Sequence, residues 1–412
     1  MPTWIIEPRD PLIARDGRPF GPDPGARASS LPFPFPSTLA GGLRHKAGLD
    51  SAGQFKQGDQ ALIKEVQTLA VRGPLLVELD PIADQVRGWF APAPADALLL
   101  SLDPQVQARH READPPIRGV FKLKRLVPLT TDAQTTNLPE GVAGLVGPQK
   151  WEPAKPDGAA PIFWPWDQYA RWLLDPIEGD ELVVTGLHGL TDNARVHVVI
   201  RSETKTAEEG RLFQTRGLSF TSEQRQRLAL VATCDRELPH FKGGLVPLGG
   251  ERRLMRWFRS TDDLPGLEGD LTNLDQQIAA TGACRVILLT PGSFVAGFRP
   301  SWLLAAQPGV TPNLLGACVT RSQTISGWDM AHHNKNDSYG RPKPIRRLAP
   351  AGSVYFIRFA EDDDQEAIAA WVRTHWMTCV SDTAQDRLDG FGLAVFGSGP
   401  QAPVTMEVSH GA

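Results

Sequence analysis

Cysteine is scarce in this chain of 412 residues: there are four, Cys234, Cys284, Cys318 and Cys379, and no two form a Cys-x-x-Cys pair. That favours buried free thiols in a reducing cytoplasm over a disulfide framework or a zinc site. Apolar runs long enough to span a bilayer are absent, which excludes a helical membrane protein. The opening Met-Pro-Thr-Trp lacks the basic-then-apolar order of a secretion signal. No Gly-Gly-Asp-Asp, His-Asp pair or P-loop occurs, which argues against a nucleotide cyclase or an ATPase. An excess of positive charge is missing too. The net charge of −4 argues against an indiscriminate nucleic-acid coat, though not against a local basic track.

What the chain has in plenty is glycine and proline, 39 and 36 residues, which implies many shaped loops. Its length exceeds one ordinary core and predicts two domains with an insertion. Trp4, Ile5 and Ile6 predict a strand over 2–7. A helix is predicted near 37–49, with Ser37 as its cap and Leu39, Leu43 and Ala47 as its buried stripe. Leu62, Val66, Leu69 and Ala70 predict a second helix over 60–72. From about 85 to 180 the chain is rich in proline and tryptophan and reads as an insertion with limited regular structure. Strands are then predicted over 181–185, 194–200, 212–220 and 228–234, with a glycine turn and strand over 248–258.

After a polar stretch at 260–270 a second set begins. Strands are expected over 285–289, 318–322, 353–359 and 393–396, and a helix near 364–377 with Ile368, Trp371, Val372 and Trp376 on one face. Its acidic start, Glu361-Asp-Asp-Asp364, complements the helix dipole. The fold expectation is α+β: two tandem ferredoxin-like (RRM-like) domains, 1–262 and 263–412, the first carrying the insertion at about 85–180. The second helix of the first domain is its weakest part.

Three stretches carry candidate chemistry. In the first, Arg15-Asp-Gly-Arg-Pro-Phe20 precedes Pro36-Ser-Thr-Leu-Ala-Gly-Gly-Leu-Arg44. A helix keeping Gly41 and Gly42 in its first turns lets a neighbour approach closely, and its N-terminus suits a phosphate beside Arg15, Arg18 and Arg44. A plain packing helix beside an arginine-rich loop reads equally well. The second stretch is Lys242-Gly243-Gly244 with Gly249-Gly-Glu-Arg252-Arg253, where glycine N–H groups and arginines suit phosphates; an ordinary hairpin is its alternative. The third, 321–347, holds Arg321, Lys335, Arg341, Lys343, Arg346 and Arg347, interleaved with Trp328, His332, His333 and Tyr339. Cations beside aromatic planes suit single-stranded RNA, and a solvated basic loop is the competing reading. Asp329, His332, His333 and Asp337 match no metal-ligand spacing. Asp389-Gly-Phe-Gly-Leu-Ala-Val-Phe396 loosely echoes an RRM strand, with Asp389 where that motif is basic.

These pieces have an order. Ile5-Ile-Glu-Pro-Arg-Asp10, the two motifs of the first stretch, Ala91-Pro-Ala-Pro-Ala-Asp96, Arg195-Val-His-Val198, Thr206-Ala-Glu-Glu-Gly-Arg-Leu-Phe213, Leu248-Gly-Gly-Glu-Arg-Arg253, Lys343-Pro-Ile-Arg-Arg347, Pro350-Ala-Gly-Ser-Val-Tyr-Phe356 and Gly390-Phe-Gly-Leu393 follow one another along the chain. In that order the chain resembles the CRISPR-associated RAMP superfamily, in particular the third-subunit family of type III-B Cmr effector complexes. The resemblance implies a cytoplasmic, non-catalytic RNA-binding subunit in antiviral defence. It would cap the 5′ tag of the CRISPR RNA and bridge the large cyclase-like subunit to a backbone RAMP subunit, meeting target RNA only indirectly. It implies no metal, no cofactor and no membrane. The tag contacts expected on these grounds are Arg15, Arg18, Ser37, Thr38, Gly41, Arg44, Lys242, Gly243, Gly244, Arg252, Arg253, Arg321, Arg341, Lys343, Arg346 and Arg347. Two alternatives stand beside it: a RAMP-type endoribonuclease with His45 as general acid/base, and a scaffold that never touches RNA. Cleaving relatives carry a loop Asp where this chain has Asp10, Asp16 and Asp23. The non-cleaving subunit is the better match, so no residue is assigned to catalysis.

Overall fold

The computed structural model describes residues 1–15, 27–28, 30–56, 59–131, 137–138, 142–221, 226–333 and 339–407. Arg18, Asp16, Asp23, Lys335 and Asp337 lie outside them, as do the side chains of Trp328, Asp329, His332, His333 and Tyr339.

The chain opens with β1 (Thr3–Pro8), the short β2 (Arg27–Ala28), α1 (Pro36–Ala47) and α2 (Gln60–Gln67). Then come β3 (Val71–Leu79), β4 (Val86–Pro92), β5 (Ala97–Leu100), α3 (Pro104–Glu112), β6 (Val120–Pro128), β7 (Val146–Pro148), β8 (Phe163–Pro165) and α4 (Trp166–Leu174). The strands β9 (Gly179–Val183), β10 (Thr191–Ile200), β11 (Ala207–Ser219), β12 (Arg227–Cys234), β13 (Gly244–Pro247) and β14 (Leu254–Ser260) follow. The remainder holds α5 (Leu274–Thr281), β15 (Ala283–Leu288), β16 (Asn313–Cys318), β17 (Gln323–Ile325), β18 (Trp328–His333), β19 (Tyr339–Pro342), β20 (Arg346–Leu348), β21 (Val354–Arg358), α6 (Gln365–His375), β22 (Thr378–Cys379), α7 (Ala384–Leu388) and β23 (Leu393–Ser398).

Two antiparallel sheets organise the molecule. The first runs β13-β14-β1-β12-β3-β4-β8, the second β16-β21-β15-β23-β22. Within the first, β1, β3, β12 and β14 taken in chain order lie 4-1-3-2. The same order holds for β15, β16, β21 and β23 in the second. Helices α1 and α2 connect strands one and two of the first sheet, while α6 connects strands three and four of the second. The other two crossovers, 235–253 and 289–312, hold no α-helix.

Local chemistry accounts for these elements. On α1, Leu39, Ala40 and Leu43 are buried against Trp4, Leu230 and Trp257. Gly42 is where the close approach occurs: a Cβ there would lie 2.7 Å from Leu248 and 3.2 Å from Trp257. Gly41 faces open space. Helix α6 starts on Asp364, whose carboxylate accepts the Ala367 N–H, and buries Ile368, Ala369, Trp371 and Val372.

Several expectations are corrected. Ser37 is not the cap of α1: Phe35 occupies that position without a side-chain bond, and Pro36 takes the first helical place. The helix at 60 ends at Gln67 with Thr68 as its cap, and Val71–Leu79 forms a strand paired with β12 instead. The strand expected at 318–322 lies at 313–318. Its Gly316 sits at a register shift where a Cβ would come 2.6 Å from Val146. The stretch 85–180 has abundant regular structure: β4 and β8 extend the first sheet, and β5, β6, β7 and β9 form another.

That stretch is also locked into the core. Trp164, Tyr169, Trp172 and Leu173 belong to one buried cluster with Val286, Phe356 and Phe396 of the second sheet. Asp96 and Arg285 are both fully buried and bonded to each other. Deleting the stretch would therefore take strands out of the first sheet and core out of both halves.

The four cysteines are free and buried. Burial pushes the Cys234 thiol up to about 11 and Cys379 to about 12, and raises Cys284 and Cys318 as well. At about pH 8 a thiol of that kind is roughly one part in a thousand thiolate. A thiol reagent such as DTNB should leave all four unreacted in the native chain and titrate all four in guanidinium; prompt native labelling of any of them would contradict this packing.

Candidate nucleic-acid interface

Three segments far apart in sequence meet on a small apolar knot. Phe35, just before α1, packs with Ile325 of β17, Leu348 of β20 and Phe391 of the loop after α7, and Leu31 covers one side. The knot fixes the N-terminus of α1 beside the loop 389–392 and beside the β17–β20 pair. The loop needs its glycines. Gly390 (φ +93) would bring a Cβ within 2.8 Å of the Gly73 carbonyl and 3.2 Å of Pro36, and Gly392 has φ +78. The basic stretch 321–347 contributes two antiparallel strand pairs, β17 with β20, which stands next to the start of α1, and β18 with β19.

Helix α7 is the hub. Thr383 accepts the Asp386 N–H at its start. Its Asp386 bonds Arg346, and Asp389, just past its end, bonds Arg44. Arg387 donates to the Ser381 and Asp382 carbonyls and lies 4.1 Å above the Trp302 ring. Arg44 also donates to the Leu69 and Leu388 carbonyls, at 3.0 and 3.2 Å. Sequence reasoning missed α7, although Thr383-x-x-Asp386 is a helix-start signal.

The arginines and lysines proposed from sequence thus divide. Arg44 and Arg346 are committed to internal ion pairs, and Arg346 also stacks on Phe391. These bonds hold α1 and β20 onto α7. Arg253 and Arg15 both pair with Glu251, at 3.1 and 3.3 Å. Arg321, Lys343 and Arg347 are exposed and have no partner among the described residues, and neither do the exposed Lys242 and Arg252. Arg341 is exposed and stands opposite Asp329 in the β18–β19 pair. Ser37 and Thr38 are half-exposed in the first turn, where the Thr38 N–H already bonds the Phe35 carbonyl at 3.0 Å.

The second stretch is a hairpin. β13 pairs with β14, and Gly243 (φ +95) is needed because a Cβ would sit 2.5 Å from the Trp257 carbonyl. Gly244 also has a positive φ, but faces open space. Gly249 and Gly250 let the Ile13 carbonyl approach, at 2.7 Å from the Gly250 nitrogen. Gly243, Gly249 and Gly250 thus stand where a neighbouring backbone comes close. Glu251 and Arg252 nonetheless hold left-handed conformations, φ +57 and +51, which present the Arg252 side chain to solvent.

The histidine and carboxylate candidates have structural settings. The His45 ring stacks on Phe55 with centroids 5.1 Å apart, and burial, with Lys46 adjacent, holds its pKa below the usual imidazole value. Asp10 accepts the Leu254 N–H at 2.9 Å. Among the described residues there is no cluster of three or more His, Cys, Asp or Glu able to hold a metal, and no helix is long and apolar enough to cross a membrane.

No curated relative matches the chain. A chain of the type III-B Cmr-beta complex bound to cognate target RNA and AMPPnP is similar at 16% identity and a TM-score of 0.42, with 86% of each chain covered. A chain of the same complex bound to cognate target RNA gives 16% identity, a TM-score of 0.40 and the same coverage. A chain of the Csm3-Csm4 subcomplex of the type III-A interference complex gives 10% identity and a TM-score of 0.31, covering 88% of this chain and 94% of that one. The family model described as CRISPR-associated protein (Cas_Cmr3) matches residues 4–399. Since that span is nearly the whole chain, the protein belongs to the CRISPR-associated Cas_Cmr3 family.

Proposed function

We propose that the chain is the subunit of a type III-B CRISPR effector complex that holds the 5′ tag of the CRISPR RNA, without cutting RNA itself. In that reading it sits in the cytoplasm between the large cyclase-like subunit and the first backbone subunit. The observation that carries it is the knot of Phe35, Ile325, Leu348 and Phe391. It gathers a helix N-terminus without a side-chain cap, a glycine loop, and a strand pair that bears exposed Arg347 and follows exposed Arg321. N–H groups and a positive dipole end suit a phosphate, and the flanking cations add charge-assisted bonds. Tag bases splayed from such a backbone track are read by loops rather than by a groove. The strand order 4-1-3-2 in each sheet supports reading the halves, 1–262 and 263–412, as tandem ferredoxin-like units, each lacking one crossover helix. The packed setting of His45 and the structural bond of Asp10 favour a binding subunit over an endoribonuclease.

The test is UV crosslinking of the assembled complex to its own guide RNA, with the crosslinked peptides mapped by mass spectrometry. Peptides covering 30–48, 321–347 or 385–392 should carry nucleotides of the 5′ tag. Crosslinks to the rest of the guide alone, or to other subunits alone, would make this chain a scaffold.

A further inference from the structure

A second site lies away from the knot, between the sheet of β5, β6 and β9 and the root of the β10–β11 hairpin. It is a cleft of about 930 Å³, at the upper end of the size range of small-molecule sites. Its floor is apolar: Phe121, Val184 and Leu187 line it and are almost fully buried. Its rim holds Arg111, Arg118 and Thr185. Arg111 lies in the last turn of α3 and Arg118 just before β6, and the turn between them is closed by the Ile117 N–H on the His110 carbonyl at 2.9 Å.

Charge makes the cleft unusual in a chain of net charge −4. The acids around it are already engaged. Glu181 takes both Arg109 and His110, while Glu152 and Asp180 take Lys122 and Lys124. Asp157, the one carboxylate among the lining residues, accepts the Ala159 N–H at 2.8 Å. Glu112 and Asp114, beside Arg111 in sequence, do not line the cleft. Arg111 and Arg118 are exposed and have no carboxylate partner among the described residues. Two unpaired guanidiniums above an apolar floor match a ligand that is anionic at one end and a flat ring at the other.

We propose that this cleft binds a nucleoside phosphate, with its phosphate on Arg111 and Arg118 and its base on Phe121, Val184 and Leu187. The ligand is either a free nucleotide or one nucleotide of an RNA strand. The full-length chain would be titrated with mant-ATP and with fluorescein-labelled heptauridine, as wild type, as Arg111→Glu/Arg118→Glu and as Arg321→Glu/Arg347→Glu. Binding of at least one probe should weaken about tenfold or more in the cleft variant, Arg111→Glu/Arg118→Glu, while mant-ATP binding stays unchanged in Arg321→Glu/Arg347→Glu. Cleft-dependent mant-ATP binding identifies a free nucleotide. Cleft-dependent heptauridine binding that ATP does not displace identifies a strand nucleotide. The wild-type chain, photolabelled with 8-azido-ATP or a 4-thiouridine heptamer, should carry label on peptides within 102–121 or 184–191. Absent binding of both probes, binding indifferent to the cleft variant, or label confined elsewhere would overturn the proposal. The tag reading stands or falls separately, on the crosslinking of the assembled complex.

Discussion

Replacing Arg285 by methionine should cost about 3–5 kcal/mol of stability, because it strands a buried carboxylate. Arg285 on β15 is 1% exposed and Asp96, between β4 and β5, is 0% exposed. The guanidinium donates to Asp96 at 2.7 Å, to the Ser398 carbonyl at 2.7 Å and to the Leu173 carbonyl at 3.2 Å, and it also bonds the Trp172 carbonyl. Trp172 and Leu173 form the last turn of α4, whose carbonyls have no partner within the helix, so the cation satisfies them and complements the dipole. Asp96 in turn accepts the Trp172 indole N–H at 3.0 Å. One arginine thus joins the first sheet's extension, α4 and the second sheet. Asp96→Leu should destabilise by a similar amount, since it leaves the arginine unpaired. The double variant Asp96→Leu/Arg285→Met removes both charges but still orphans the carbonyls. Its loss should fall to about 1–3 kcal/mol, below that of Arg285→Met alone. Urea unfolding of the three variants checks this order. A double variant as unstable as the sum of the singles would mean the charges do not act as a pair.

The same pair shows why part of the fold was hidden in the sequence. Elements whose signal is local were legible: β1 from Trp4-Ile5-Ile6, α1 from Leu39 and Leu43, α6 from its acidic start and four-residue spacing. Each buries a face that its own periodicity announces. β3 was hidden because Gly73 and Pro74 interrupt its apolar run, and they are tolerated opposite a register shift in β12. The insertion's strands were hidden because proline and tryptophan read as turn and loop, whereas Trp164 and Trp172 are core residues. The candidate site was legible as composition only. That Arg321, Lys343 and Arg347 lie in one basic stretch is a local fact. That Arg44 meets a carboxylate 345 residues later is not. Sequence position cannot tell a cation held by an ion pair from one left to solvent; the folded partner decides.

That distinction sets the second large effect. Replacing Arg321, Lys343 and Arg347 together by alanine in the assembled complex should weaken 5′-tag binding on the order of a hundredfold to a thousandfold at low salt, if each makes one charge-assisted phosphate contact. The sharper measure is salt dependence. Each phosphate contact on a single strand contributes about 0.7 to the slope of log affinity against log salt, so removing three should flatten it by about 2. Arg44→Ala and Arg346→Ala should behave differently. Arg44 is 13% exposed and Asp389 7%, and Arg346 pairs with Asp386 at 6% exposure. Breaking these pairs uncouples α1 and β20 from α7, so the expected loss is in thermal stability, with the salt slope close to the wild-type value. On the proposed function, the three exposed cations meet phosphates and the two paired ones hold the surface that presents them. If the triple variant keeps its slope while Arg44→Ala flattens it, the roles are reversed and the tag runs over α7 rather than over the basic hairpins.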